Sequence, residues 1–77
     1  MKFRVYICFR KGILDPEAEA IKQTIMNMGL KSVKNLVKGK FFDIEIENNK
    51  DHLKEIESIS RDLLTNPVIE NFKIVKK

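Results

Sequence analysis

Seventy-seven residues allow one small domain, expected to span 1–77, whose interior is too modest to make a lone monomer very stable. A single cysteine, Cys8, excludes an internal disulfide, and one histidine, His52, far from it in sequence excludes a Cys/His metal site. The formal net charge of +4 comes from lysines dispersed among acids, densest in 31–40 and at Lys73, Lys76 and Lys77. That pattern reads as a solvated face, since a nucleic-acid surface calls for placed stacking aromatics or a reader motif. With disulfide and metal excluded, self-association is the expected source of extra stability. The apolar runs are too short to span a bilayer and no signal-peptide pattern opens the chain, so a cytoplasmic location is expected.

Residues 2–10, KFRVYICFR, alternate strictly. Phe3, Val5, Ile7 and Phe9 form one face and Lys2, Arg4, Tyr6, Cys8 and Arg10 the other, which predicts a half-buried strand. Tyr6 and Cys8 interrupt the polar face and suggest cover from another layer or subunit. Lys11-Gly12 breaks the strand.

Residues 14–30, LDPEAEAIKQTIMNMGL, carry a full set of helix signals. Asp15 is a good N-cap, Pro16 suits the first helical position, and Glu17 and Glu19 complement the dipole. Ala18, Ile21, Ile25 and Met28 make one apolar stripe, and Gly29 with Leu30 supplies the stop.

Residues 31–47 are less regular. Phe42, Ile44 and Ile46 alternate with Asp43, Glu45 and Glu47 as a strand does, but Val33, Leu36 and Val37 fall out of that phase. A break at Lys38-Gly39-Lys40 fits a long bent strand, two short collinear strands or a hairpin; the missing Asn-Gly or Asp-Gly pair favours the first two. Residues 48–51, NNKD, predict a turn with several candidate caps. The second helix follows, with Leu53, Ile56, Ile59 or Ser60, and Leu63 facing inward, Leu64 at the edge, and Asn66-Pro67 as the stop. Residues 68–75, VIENFKIV, predict a closing strand with apolar residues on both faces. The order strand, helix, strand region, helix, strand predicts an α+β two-layer sandwich, two helices on one face of a mainly antiparallel sheet, related to the ferredoxin-like arrangement.

No set of residues marks a catalytic centre. Asp43, Glu45 and Glu47 form an acidic row that alternation explains as a solvent face, although such a row is also the kind that binds Mg²⁺. His52 sits at the start of a helix beside Asp51 and Glu55 with no nucleophile marked near it. Cys8 lies mid-strand, where inert packing is expected. Gly12, Gly29 and Gly39 are isolated, so no phosphate-cradling loop is present. The chain reads as a part of a larger assembly.

Several stretches together resemble the PurS family: KFRVYICFRKGILDPEAEAI, then Met28-Gly29-Leu30, then VKNLVKGKF at 33–41, then LLTNPVIENFKI. Leu14-Asp15-Pro16, Gly39-Lys40 and Leu63-Leu64…Asn66…Val68-Ile69-Glu70 are the most specific pieces, and the likeness runs almost end to end. The family often has glycine two residues after the proline; Ala18 stands here, a better helix former. The resemblance implies a small non-catalytic subunit of the multi-subunit phosphoribosylformylglycinamidine (FGAM) synthase of bacteria and archaea. That complex makes the amidine in the fourth step of de novo purine synthesis from formylglycinamide ribonucleotide, glutamine and ATP. It implies a homo-dimer or tetramer bridging a glutaminase subunit and a large synthetase subunit and assisting ammonia transfer. It also implies no cofactor on this chain, ATP and Mg being used by the synthetase.

Arg4, Tyr6, Lys38, Gly39, Lys40 and Phe41 are the candidate interface residues, with Phe42 and the last strand beside them. Their two-faced patterning motivates this, and Arg and aromatic residues are enriched at interface cores. A ferredoxin-like dimer sensing a small molecule is the alternative, for which only Asp15 and the Gly39 bend offer anything. An RNA module is a third reading; it needs exposed aromatics on the central strands, and Phe41 and Phe42 point to opposite faces.

Overall fold

A computed structural model of the chain describes residues 1–47 and 51–77. The elements in order are β1 (Lys2–Phe9), α1 (Pro16–Asn27), β2 (Gly39–Glu45), α2 (Leu53–Ile59) widening into a π turn over Ser60–Leu64, and β3 (Glu70–Lys76). Two helices and one antiparallel sheet of spatial order β2-β1-β3 give the expected α+β class.

β1 takes the central place because its alternation offers a fully apolar face to both neighbours. Phe3, Val5 and Ile7 are buried to 2% exposure or less, and pair with Ile44, Phe42 and Lys40 on β2 and with Lys76, Ile74 and Phe72 on β3. The ladder runs past the strand, Met1 exchanging both backbone bonds with Ile46. At the other end Arg10 leaves β1, sending its amide to the Ile69 carbonyl and its guanidinium to that of Pro67 at 2.7 and 3.1 Å.

α1 begins and ends as its signals direct. The Asp15 carboxylate accepts from the Glu17 and Ala18 amides at 3.1 and 3.2 Å. At the far end Gly29 takes φ +114, its amide reaches the Met26 carbonyl and the Leu30 amide the Ile25 carbonyl, which is a Schellman stop. The expected burial of its stripe does not follow. Ala18 alone is buried; Ile21 is 40% exposed, Met28 82% and Leu30 57%. Helix geometry depends on neighbours in the chain, whereas burial needs a surface opposite, and among the described residues that surface covers Ala18 fully and Ile25 in part but leaves Met28 bare.

Residues 33–38 are neither the first half of a long strand nor a hairpin arm. They carry no regular structure, and β2 starts at Gly39. Gly39 lies opposite Cys8 so closely that a Cβ there would collide with the Ile7 carbonyl oxygen. The expected turn at 48–51 lies outside the described residues except for Asp51, whose carboxylate accepts from the Leu53 amide.

α2 buries only part of the stripe expected of it. Ile56 and Ser60 are buried and Leu64 is half-buried, while Leu53 is 40% exposed and Leu63 77%. The π turn explains the slip: it holds more residues per turn, so the four-residue step Ile56, Ser60, Leu64 stays in phase where a 3.6 period drifts to Leu63. The helix stops at Leu64, and the Asn66 side chain then caps the turn by accepting from the Val68 amide. β3 starts at Glu70 rather than 68, and Val68 is left exposed in that turn.

The core is Phe3, Val5, Ile7 and Ile56, with Met1, Ile44, Ile46, Leu64, Phe72 and Ile74 packed against it. No α1 residue belongs to it. The radius of gyration is 16.0 Å and the extents are 50 × 24 × 14 Å, against about 11.5 Å for a compact chain of this length.

Candidate assembly surface

The face of the sheet opposite the core is open. The register sets Arg4 between Asp43 and Val75, Tyr6 between Phe41 and Lys73, and Cys8 between Gly39 and Asn71. Arg4 and Asp43 form a two-pronged pair, Nε to Oδ1 at 2.7 Å and Nη2 to Oδ2 at 3.0 Å. The guanidinium carbon lies 4.2 Å from the Phe41 ring centre and 6.0 Å from that of Tyr6, and the two rings are 6.1 Å apart and tilted by 54°. A planar cation held on one side by a carboxylate and laid over an aromatic face is strongly pre-organised. The hydrogen bonds from Arg4 hold the Asp43 carboxyl below its usual range, and the carboxylate in turn raises the guanidinium's pKa. Hydrogen bonding by Arg4 also lowers the Tyr6 phenol.

Beside this cluster lies a mostly apolar depression of about 450 Å³, walled by Tyr6, Cys8, Phe41 and Lys73 and by Val37 from the unpaired segment. Val37 is 72% exposed, Phe41 52% and Tyr6 40%. Large side chains half in water, beside a fixed cation and an open hollow, suit a contact surface.

The six candidate interface residues therefore separate. Arg4, Tyr6 and Phe41 come together on the open face. Gly39 edges it, where its role is close approach to β1. Lys40 pairs with Ile7, so it lies on the opposite face, 5.8 Å from the Phe42 ring centre. Lys38 turns to α1 and lies 3.5 Å from Asp15 and 3.4 Å from Glu17. Partial burial opposes its charge, but those two carboxylates outweigh this and raise its pKa. Asp15, the residue that a small-molecule sensor would use, is thus engaged by its own helix and by Lys38. Val75, in the last strand named beside the candidates, also belongs to the open cluster, and so does Asp43, which was not among the candidates. Asp43 is directly opposite Arg4 once strand pairing is known, but nothing in a single sequence gives that pairing. His52 is half-buried, its Nδ1 3.9 Å from Glu55. Among the described residues no group of three or more His, Cys, Asp or Glu converges to hold a metal, and no helix is long and apolar enough to cross a membrane.

A family model described as PurS: phosphoribosylformylglycinamidine (FGAM) synthase matches residues 2–77. The chain belongs to the PurS family. The FGAM synthase subunit PurS of Archaeoglobus fulgidus is 38% identical over 73 residues, covering 92% of this chain and 91% of that one. The crystal structure of Methanocaldococcus jannaschii PurS, one of the subunits of formylglycinamide ribonucleotide amidotransferase in the purine biosynthetic pathway, superposes with a TM-score of 0.83 at 35% identity. It covers 96% of this chain and 92% of that one. A chain of PurLQS from Thermotoga maritima matches with a TM-score of 0.80 at 27% identity, over 99% and 95% of the two chains. PurS membership makes this chain a subunit of FGAM synthase, in purine biosynthesis.

Proposed function

We propose that this chain is the non-catalytic adaptor of its FGAM synthase: self-associated as a dimer or tetramer, it holds a glutaminase subunit and a large synthetase subunit in register and helps shield the ammonia that passes between them. The observation that carries this reading is the open sheet face, where Arg4, Tyr6 and Phe41 form a pre-organised cluster beside an apolar hollow. That is equipment for binding protein. The PurLQS relative, whose chain shares this fold, supports a place among other subunits. Containment supplies the physical reason, because free ammonia would protonate and diffuse away in water. ATP and Mg are assigned to the synthetase, and no cofactor to this chain.

Mixing the purified chain with its glutaminase and synthetase subunits tests the proposal. Amidine formation from glutamine and co-elution of all three components are expected to require this chain. Equal rates from glutamine with the chain left out would overturn the reading. Tyr6→Asp and Phe41→Asp are expected to abolish co-elution while the other two subunits stay folded, and unchanged co-elution would remove the open face from the assembly.

A further inference from the structure

We infer that α1 and the chain returning from it to residue 38 form an arm whose lysine-rimmed apolar side docks on an acid-rimmed apolar groove of a partner subunit in the same synthase. This rests on the adaptor reading above. It adds a second contact surface, separate from Arg4, Tyr6 and Phe41, and names the chemistry of what that surface meets.

The arm is closed at its base and bare towards its tip. Lys38 lies 3.5 Å from Asp15 and 3.4 Å from Glu17, so the end of the return is tied to the start of α1. The same two stretches wall a cavity of about 210 Å³, with Ala18 and Leu36 among its sides. Further along, Ile25, Met26 and Val33 are half-buried, whereas Ile21, Met28 and Leu30 are exposed. Ile21 and Met28 stand two turns apart on one side of the helix, about 10 Å along its axis. Leu30 follows them past the Gly29 stop. The core takes no α1 residue, so this strip is apolar surface for another body to cover.

The charge around the strip has one sign. The chain has 11 acids, and none lies between Glu19 and Asp43. Lys38, inside that interval, is engaged by the clip at the base, and Lys40 belongs to β2. Lys22, Lys31 and Lys34 are left to the arm and make no salt bridge to any described residue. Uncompensated cations round an apolar strip call for carboxylates on the body that covers it, because opposite charges steer the encounter and fix its register. Methionines such as Met28 adapt readily to a groove wall. Nucleic acid is a poorer match, since no aromatic side chain lies between Phe9 and Phe41 to stack on a base. The arm of a second copy is poorer still, because it brings only further lysines.

The test titrates the full chain into its purified glutaminase and synthetase subunits and reads the concentration that half-saturates amidine formation from glutamine. Met28→Asp is expected to raise that concentration by about tenfold or more. Lys31→Glu combined with Lys34→Glu is expected to raise it about tenfold at low salt, and the gap to wild type to close as salt screens the contact. Lys54→Glu combined with Arg61→Glu makes the same change of net charge on α2 and its π turn, and is expected to leave the value unmoved. Arm variants that match wild type, or a control pair that shifts as far, overturn the inference. In pairwise co-sedimentation one of the two subunits is expected to lose Met28→Asp, and loss from neither overturns it as well. So does a change confined to the sedimentation of the chain alone, since the covering body is then a second copy. Helical circular dichroism on each variant confirms that the arm remains folded. Amidine formation that needs no added chain sinks the adaptor reading, whereas a chain that is required but indifferent to its arm sinks this inference alone.

Discussion

The sheet with α2 and the stretch from α1 to residue 38 differ in how much of their apolar surface the chain itself covers. On the first side, Phe3, Val5, Ile7 and Ile56 close a small core. On the second, α1 has a cap, a proline at its first position and a glycine stop, yet buries Ala18 alone. Local hydrogen bonding therefore makes α1 a helix while tertiary packing makes α2 one, and the two should fail differently. Ile21, Met28 and Val37 left in water, with a radius of gyration of 16.0 Å, describe a subunit shaped for contact beyond itself.

The largest effect expected from breaking this contrast comes from the core. Ile56→Ala should cost about 3–4 kcal/mol, since it opens a cavity that the sheet cannot collapse into. Met28→Ser on the bare stripe should change stability by less than about 0.5 kcal/mol. Urea melts of the two variants at one protein concentration measure both, and equal losses would erase the distinction between the two sides. Next in size is Gly39→Val, expected to cost about 2 kcal/mol by forcing β2 away from the Ile7 carbonyl. Its signature is loss of amide protection at the Cys8 end of the β1–β2 ladder, with α2 unaffected.

Asp15→Ala should cost about 1 kcal/mol through the lost cap. It should lower helical circular dichroism more than it moves the melting of the sheet, because α1 adds nothing to the core; thermal melts at fixed concentration check this. The smallest effects are those of pH. Lys38 is raised above its ordinary 10.5 by Asp15 and Glu17. Its contribution is therefore complete below the ordinary lysine value and fades as pH climbs through the raised one. Asp43 is depressed below 3.8 by Arg4, so its contribution is complete above that value and disappears only as pH falls through the lowered one. Between pH 5 and 9 neither pair should alter stability. A carboxyl NMR titration of Asp43, and wild-type melts compared with Lys38→Met from pH 8 to 11.5, test the two directions.

Much of the fold was legible in residue order. Strict alternation placed Phe3, Val5 and Ile7 inside. Asp15, Pro16 and Gly29 bounded α1 to within a residue, and the phase of Phe42, Ile44 and Ile46 marked β2. These are short-range signals, written in the residues that make the bonds. Ile56 and Ser60 were placed inward on α2, but Leu63 was misjudged because a π turn shifts the phase, and no propensity announces such a turn. The 33–38 segment was misjudged because its apolar residues look like a strand even where no neighbour pairs with it. Of the candidate surface, Arg4, Tyr6 and Phe41 were legible as out-facing aromatic and basic positions, whereas Asp43 entered through strand register.

By itself the sequence determined the strands and helices, the ends of α1, the class of fold and the family, because each depends on local chemistry or on residues in a recognisable order. The tertiary structure alone decided which apolar residues stay in water, that Lys38 pairs with Asp15 and Glu17 while Lys40 comes opposite Ile7, and that acids and lysines line opposite edges of the open face. Those outcomes depend on strand order and register, which join residues about forty positions apart through contacts that no local pattern encodes.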